Sequence, residues 1–283
     1  MREELELNRR HWDEATEIHR RGNVYGVEDF KAGACRLHRV EVEEVGDVQG
    51  KRLLHLQCHF GIDTLSWARR GAQVTGVDFS PEAIETARRL SAECNVPGEF
   101  ACSDIYSVTE VLKAFHEFDI VYTSYGAINW LPDLRSWGAL IARYLKPGGF
   151  FYIVEAHPTA RMFPMEEDMP QARVFGPWFP YFHDPKGIRW PPGVDYADTS
   201  AMHTIGDHEW QHSMSDIIGA MVSAGLVIEQ LHEFPYCAWP VVAGCQIVEQ
   251  FSSSHAYYGR VEAPTDVPLM FSLRARAPGG PRA

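Results

Sequence analysis

The chain has no basic excess to offer a polyanion. Its 26 Lys and Arg face 38 Asp and Glu, a formal net charge of −12. That balance works against a protein that grips nucleic acid by its phosphates, which takes clustered Lys and Arg. No apolar run approaches the roughly 18–20 residues of a membrane span. No Cys-x-x-Cys occurs, so the six cysteines at 35, 58, 94, 102, 237 and 245 suggest neither a zinc ribbon nor a redox pair. They read as free thiols of a reducing compartment. The stretch Met1-Arg2-Glu3-Glu4-Leu5-Glu6 puts acids where a signal peptide needs a basic end and then an apolar core, so a cytoplasmic location is expected. Internal repeats and low-complexity tracts are also missing. What remains is 283 residues of ordinary globular composition, enough to bury a large core without staples.

The pattern along the chain alternates. Residues 1–48 are mostly helical in character, broken at Gly22-Asn23. Arg52 to Leu56 reads as a strand, and Thr64, Leu65, Trp67 and Ala68 follow at helical spacing up to Gly71. A strand over 72–77 ends at Asp78, and Ser80-Pro81 starts a helix as N-cap and first residue. Strands over 99–103, 118–124 and 150–155 alternate with helices over 108–115 and 134–145, the latter ended by Lys146-Pro147-Gly148-Gly149. Such alternation predicts an α/β fold, a doubly wound, Rossmann-like and mostly parallel seven-stranded sheet. Residues 158–212 lose the period and crowd in aromatics and prolines. They read as a cap insertion, with a small β element around Gly193 to Trp210. The sheet resumes over 213–277, with a helix capped by Ser213 and Asp216, a strand over 226–231, a second insertion at 235–264 and a last strand over 269–275. The expected organisation is an N-terminal helical lid at 1–48, a cofactor-binding half at 49–157, the cap, and the C-terminal half.

Strand, loop, helix, strand, Asp is the order of an adenosine-type site, with the acid on ribose hydroxyls. Asp78 is that acid. A dinucleotide needs G-x-G-x-x-G, whereas the loop Gln57-Cys58-His59-Phe60-Gly61 carries one glycine, which speaks against NAD. Together Leu53-Leu54-His55-Leu56-Gln57-Cys58-His59-Phe60-Gly61, Val77-Asp78-Phe79-Ser80, Ser103-Asp104-Ile105 and Tyr144-Leu145-Lys146-Pro147-Gly148-Gly149-Phe150 resemble a class I S-adenosylmethionine-dependent methyltransferase of small-molecule type. The chain departs from the family's acid-x-Gly-x-Gly-x-Gly by His55, Gln57 and His59. The resemblance implies S-adenosyl-L-methionine as cofactor. It implies that the loop (Gln57, Cys58, His59, Gly61) holds the methionine moiety, Asp78 the ribose and Asp104 the adenine amino group. Phe79 and Ile105 flank the base, with Ser80, Ser124 and Tyr25 nearby.

Methyl transfer needs a nucleophile held about 3 Å from the methyl in a dry pocket, and a group to take a proton where one must leave. His157 and Tyr125 are the catalytic candidates. Trp12, Asn129, Trp130, Trp178, Tyr181, His208 and His212 are the candidate acceptor-site residues, drawn from the N-terminal segment, the loop after the fourth strand and the cap. His208-Glu209-Trp210-Gln211-His212 matches the zinc-protease H-E-x-x-H, but a helix starts only after it. As a strand, it points His208, Trp210 and His212 to one face, and no metal site is expected.

The stretch Ser124-Tyr125-Gly126-Ala127 stands where methyltransferases acting on exocyclic amino groups carry Asn-Pro-Pro-aromatic, and the net charge points the same way. A nucleic-acid partner and a membrane are not expected. The expectation is methyl transfer to an oxygen or nitrogen of a small metabolite or natural product in an enclosed aromatic pocket, by a monomer or homodimer. A protein or peptide methyltransferase, a non-catalytic cofactor-binding module and, least favoured, a zinc hydrolase on His208–His212 stay open as alternatives.

Overall fold

Apolar residues two apart decide which way each strand faces. In the computed structural model, which describes residues 2–22, 24–163, 179–252, 255–260 and 267–279, those faces close into a three-layer α/β fold. The chain opens with α1 (Arg2–Arg21), α2 (Val27–Lys31) and α3 (Arg39–Val45). Then come β1 (Arg52–Leu56), α4 (Ile62–Arg69), β2 (Gln73–Asp78), α5 (Pro81–Cys94) and β3 (Glu99–Cys102). The second run is α6 (Val108–Val111), β4 (Phe118–Ser124), α7 (Leu134–Tyr144) and β5 (Leu145–Ala156). Two short strands, β6 (Ile188–Trp190) and β7 (Asp207–Glu209), precede α8 (Met214–Ser223) and β8 (Val227–Phe234). Finally β9 (Tyr236–Cys237), β10 (Gln246–Ser252) and β11 (His255–Gly259) lead to β12 (Met270–Arg276).

The main sheet has the order β3-β2-β1-β4-β5-β12-β8. The pairs from β3 to β5 are parallel, while β12 runs antiparallel to both its neighbours. Along β5, Phe151 and Ile153 join Leu54, Leu56 and Val121 against α7 and α8. Phe150, Tyr152 and Val154 face the other way, toward α3, Trp67 of α4 and the insertion strands β9 and β11. Burial of both faces explains the nearly continuous apolar runs of the parallel strands.

Several boundaries differ from the sequence expectation for identifiable reasons. β5 begins at Leu145 rather than Phe150, because Leu145 already pairs with Phe118 and the irregularity before Ile120 absorbs Lys146 to Gly149. Gly149 is needed there, since a Cβ would stand 2.9 Å from the Asp119 carbonyl oxygen. The helix expected over 108–115 stops at Val111, where Leu112 turns extended. The second insertion contributes a three-stranded sheet of order β10-β11-β9. It is tied to α3 by the Tyr257 hydroxyl, which accepts the Val40 N–H at 3.0 Å.

The helix caps follow the expected chemistry. Ser80 Oγ accepts the Ala83 N–H with Pro81 at the first helical position. Ser213 and Asp216 form the reciprocal capping box of α8. Less expected is α1, whose buried residues are Asn8, Ala15, Thr16 and His19 instead of an apolar stripe. It packs along α5 and against β7. Polar bonds seat it: the Asn8 carboxamide donates to the His208 carbonyl at 2.7 Å and accepts the His208 N–H at 2.8 Å.

Candidate active site

The strand order reverses direction between β1 and β4, so the loops after these two strands frame the crevice where such sheets bind ligands. In the loop after β1, Gln57, His59 and Gly61 all take left-handed backbone, with φ of 59°, 49° and 78°. A side chain in that region costs about 1–2 kcal/mol. The loop therefore keeps a glycine-type path at two positions that are not glycine. At Gly61 the reason for glycine is also steric, since a Cβ would lie 2.8 Å from the Phe100 ring and 2.9 Å from Ala87. Gln57 reaches across the crevice and donates its Nε2–H to the Ala127 carbonyl at 2.7 Å. Cys58 turns inward and packs in the cluster with Phe60, Leu65 and Phe100.

Asp78, at the end of β2, is buried. Its Oδ2 accepts the His59 N–H at 2.8 Å and its Oδ1 the Ser80 N–H at 2.9 Å. Burial raises its pKa to about 6, against the lowering effect of those N–H groups. Ser80 Oγ donates to Asp13 Oδ1 of α1 at 2.6 Å, which fastens α1 over the start of α5. Asp104 accepts the Tyr106 and Ser107 N–H groups on Oδ1, at 2.8 and 3.0 Å. Ile105 is buried in the core with Val77 and Val108, while Phe79 is half-buried beside Asp78.

After β4, Ser124 Oγ lies 3.3 Å from Asp63 Oδ2 and 3.4 Å from His55 Nε2. His55 stands where an acid is usual, and burial lowers its pKa to about 3, so it is a neutral hydrogen-bonding group held by Thr64 at 2.8 Å. Tyr125 takes φ 29° and sets its ring edge-on to His38 and Trp239. Glu155, at the end of β5, accepts the Gly126 and Ala127 N–H groups at 2.6 and 2.8 Å and so fixes this loop. Asn129 donates to Glu209 at 2.7 Å, and Arg161 donates to Glu209 at 3.0 Å and to Gln211 at 2.9 Å. Asn129, Glu155, Arg161, Trp210, Gln211 and His212 line one small cavity.

Over the crevice, α1 and the 158–212 insertion bring together an aromatic and histidine cluster. Trp12 is edge-on to His59 at 5.0 Å and to Trp130 at 5.2 Å. Tyr25 stacks on His19 at 4.8 Å, and its hydroxyl bonds that of Tyr196, which is exposed at the outer rim. His19 bonds His59 and Asp195, and His203 bonds Asp195, at 3.0, 3.0 and 2.8 Å. The two imidazoles hold the Asp195 carboxyl well below the usual carboxylate range.

Other candidates have their own partners. His157 accepts the Thr159 N–H on Nδ1 at 3.1 Å, and its Nε2 lies 2.9 Å from Glu233 on β8. Tyr181 accepts the Met214 N–H at 3.4 Å, at the start of α8. Trp178 lies outside the described residues. His208 sits on β7 and gives its Nε2–H to the Lys186 carbonyl at 2.7 Å; His212, beyond the strand, gives its own to the Leu131 carbonyl at 2.8 Å. Among the described residues no group of three His, Cys, Asp or Glu is placed to hold a metal. Among the described residues no helix is long and apolar enough to cross a membrane.

Residues 53–149 match the family model described as a methyltransferase domain. A ubiquinone biosynthesis O-methyltransferase of Methylobacterium sp. (strain 4-46) is 29% identical over 54% of this chain and 60% of its own length. An uncharacterized methyltransferase of Synechocystis sp. is 34% identical over 44% of this chain and 56% of its own. The chain thus spans 56–60% of the length of these two relatives. A crystal structure of an S-adenosylmethionine-dependent methyltransferase from Mesorhizobium loti shares the fold, with TM-score 0.55 over 87% of this chain and 99% of that one at 20% identity. Residues 53–149 thus resemble a methyltransferase domain, and the chain shares the fold of an S-adenosylmethionine-dependent methyltransferase.

Sequence reasoning missed several residues of this candidate site. Asp13 and His19 lie on the same helix as Trp12, and the spacing of Asn8, Trp12, Ala15 and His19 is that of one helical face. That face is half polar, so an apolar-stripe search passes over it. Asp195, His203 and Arg161 carry no local signal, because their partners lie in other elements.

Proposed function

We propose that this methyltransferase transfers the cofactor's methyl group to an oxygen or nitrogen of a small molecule, held in a pocket between α1, the loop after β4 and the 158–212 insertion. The observation that carries this reading is the wall of Trp12, Tyr25 and Trp130, which rises from α1, the segment after it and the post-β4 loop over the β1/β4 crevice. A roofed aromatic crevice suits a small acceptor, not a long peptide. The curated relatives named as ubiquinone biosynthesis O-methyltransferases favour oxygen as the receiving atom.

The residues fit the cofactor. Each Asp78 oxygen accepts one backbone N–H and keeps a second lone pair for a ribose hydroxyl. Asp104 Oδ2 has that capacity for the adenine amino group. Among the described residues Gln57 Oε1 and Trp12 Nε1 are buried without partners, an acceptor and a donor at the loop where the amino-acid end belongs. When bound, the cofactor supplies a methyl already activated on a sulfonium, so the protein has to position the acceptor and exclude water. Aromatic faces also favour the positive charge.

Calorimetry with S-adenosylhomocysteine tests the cofactor site, and a labelled-methyl assay against phenols, alcohols, amines and short peptides tests the acceptor. Binding with label on a small phenol, alcohol or amine is expected. Label on peptides alone would move the reading to protein methylation. No binding at all would remove it.

A further inference from the structure

We propose that His59 is the proton acceptor of this active site, with its tautomer set by His19 and Asp195. The proposal rests on the methyl-transfer reading and deepens it, since it requires an acceptor that carries an O–H or N–H. It starts from a bonding constraint. Asp195 is buried and ionised and can only accept, so His19 donates its Nε2–H to Oδ2 at 3.0 Å. With its Nε2–H committed to Asp195, a His19 ring that carries one proton offers a lone pair on Nδ1. In that arrangement His59 Nε2, 3.0 Å away, donates to it. That leaves the lone pair of His59 on Nδ1, an atom that is buried and has no hydrogen-bond partner among the described residues.

The position suits the task in geometry, while burial and the adjacent His19 lower the His59 pKa, so the charge it takes up has to pass on toward Asp195. His59 follows β1 and Trp130 follows β4, the two strands flanking the reversal in strand order, and Trp12 bridges the two side chains. In the step, the X–H bond of the acceptor breaks and its proton joins His59 Nδ1. The electron pair stays on X and forms the new bond to the methyl carbon, while the pair of the broken carbon–sulfur bond stays on sulfur. The positive charge that leaves sulfur appears on His59. Passing the Nε2 proton to His19 Nδ1 moves that charge to a ring 3.0 Å from the Asp195 carboxylate. Asp195 and His19 are positioning residues, and His59 is the catalytic one.

Every packed element bears on the titration. Trp12, His19 and Tyr25 face His59, and Asp78 holds its N–H. Asp195 also takes His203 and the Ala197 and Asp198 N–H groups, and Tyr196 lies against His19. His203 is in turn stacked on His11 and lies 3.7 Å from Glu14, with Asp207 near enough to act on it.

Nitrogen-15 spectra of the histidine rings in the whole chain test the tautomer without any turnover. At pH 7.5 His59 is expected with Nε2 protonated and Nδ1 bare, and Asp195→Asn is expected to turn it into a mixture. With an acceptor from the labelled-methyl panel, His59→Ala is expected to lower kcat about 100-fold or more, with partial rescue by free imidazole. Asp195→Asn and His19→Gln should lower kcat about tenfold and displace the acid limb of the pH profile, with KM held. A protonated Nδ1 on His59 overturns the proposal, as does wild-type kcat with an unchanged acid limb in His59→Ala. If His59→Ala does not fold, the spectrum and pH profile of Asp195→Asn decide. Absence of S-adenosylhomocysteine binding sinks the methyl-transfer reading itself, whereas binding and turnover with the wrong tautomer sink only this inference.

Discussion

His19 Nδ1 and His59 Nε2 lie 3.0 Å apart, although one sits on the N-terminal helix and the other in the loop that ends β1. The bond joins the segment that roofs the crevice to the loop that floors it. Together with Asp13 on Ser80 and Asn8 on His208, it makes the seating of α1 polar and specific.

Asp78→Asn should weaken S-adenosylhomocysteine binding. The charged carboxylate loses its advantage as a double acceptor, worth about 1.5–3 kcal/mol, or roughly 10- to 150-fold in affinity. Calorimetry on wild type and variant reads it, and equal affinities would refute the ribose role.

Gly61→Ala should destabilise the fold by about 2–4 kcal/mol, combining left-handed strain with a Cβ forced against Phe100 and Ala87. Denaturant unfolding measures this. A loss under 0.5 kcal/mol would mean that the loop adjusts at no cost.

Glu41 has no exposed surface, and accepts the Tyr122 hydroxyl and the His38 N–H. Burial, with Asp63 nearby, raises its pKa well above the ordinary value. The stability it contributes is therefore present below about pH 4.3, its unfolded value, and is lost as pH rises toward the folded one. Glu41→Gln removes the charge while its one oxygen still accepts the His38 N–H and its NH2 can donate to the Tyr122 hydroxyl. Its melting temperature should match wild type near pH 4 and exceed it at pH 8. An identical gap at both pH values would show that charge is not the cause.

Removing metal should change nothing. Both histidines of the His208–His212 stretch give their Nε2–H to backbone carbonyls. Dialysis against a chelator should leave the melting temperature and S-adenosylhomocysteine affinity unaltered, and stoichiometric zinc in the purified protein would contradict this placement.

The fold was largely readable because its signals are local. The Ser80-Pro81 cap, the Ser213/Asp216 box and the apolar runs of β1, β4 and β5 each act within one element. The placement of Asp78 was legible for the same reason, as the end of a strand that a capped helix must follow. The second insertion was less so: its strands pair with one another and dock on α3 by Tyr257, which no local period announces.

The sequence by itself determined the order of strands and helices, the Ser80-Pro81 helix start and the non-helical path of His208–His212 before α8, since each depends on neighbours within a few residues. Only the tertiary structure decided that Gln57 and His59 follow a glycine path, that His157 meets Glu233, and that His19, His59 and Asp195 form one bonded row. Those outcomes join residues up to 176 positions apart, and their energy comes from burying polar groups that must find partners wherever the chain brings them.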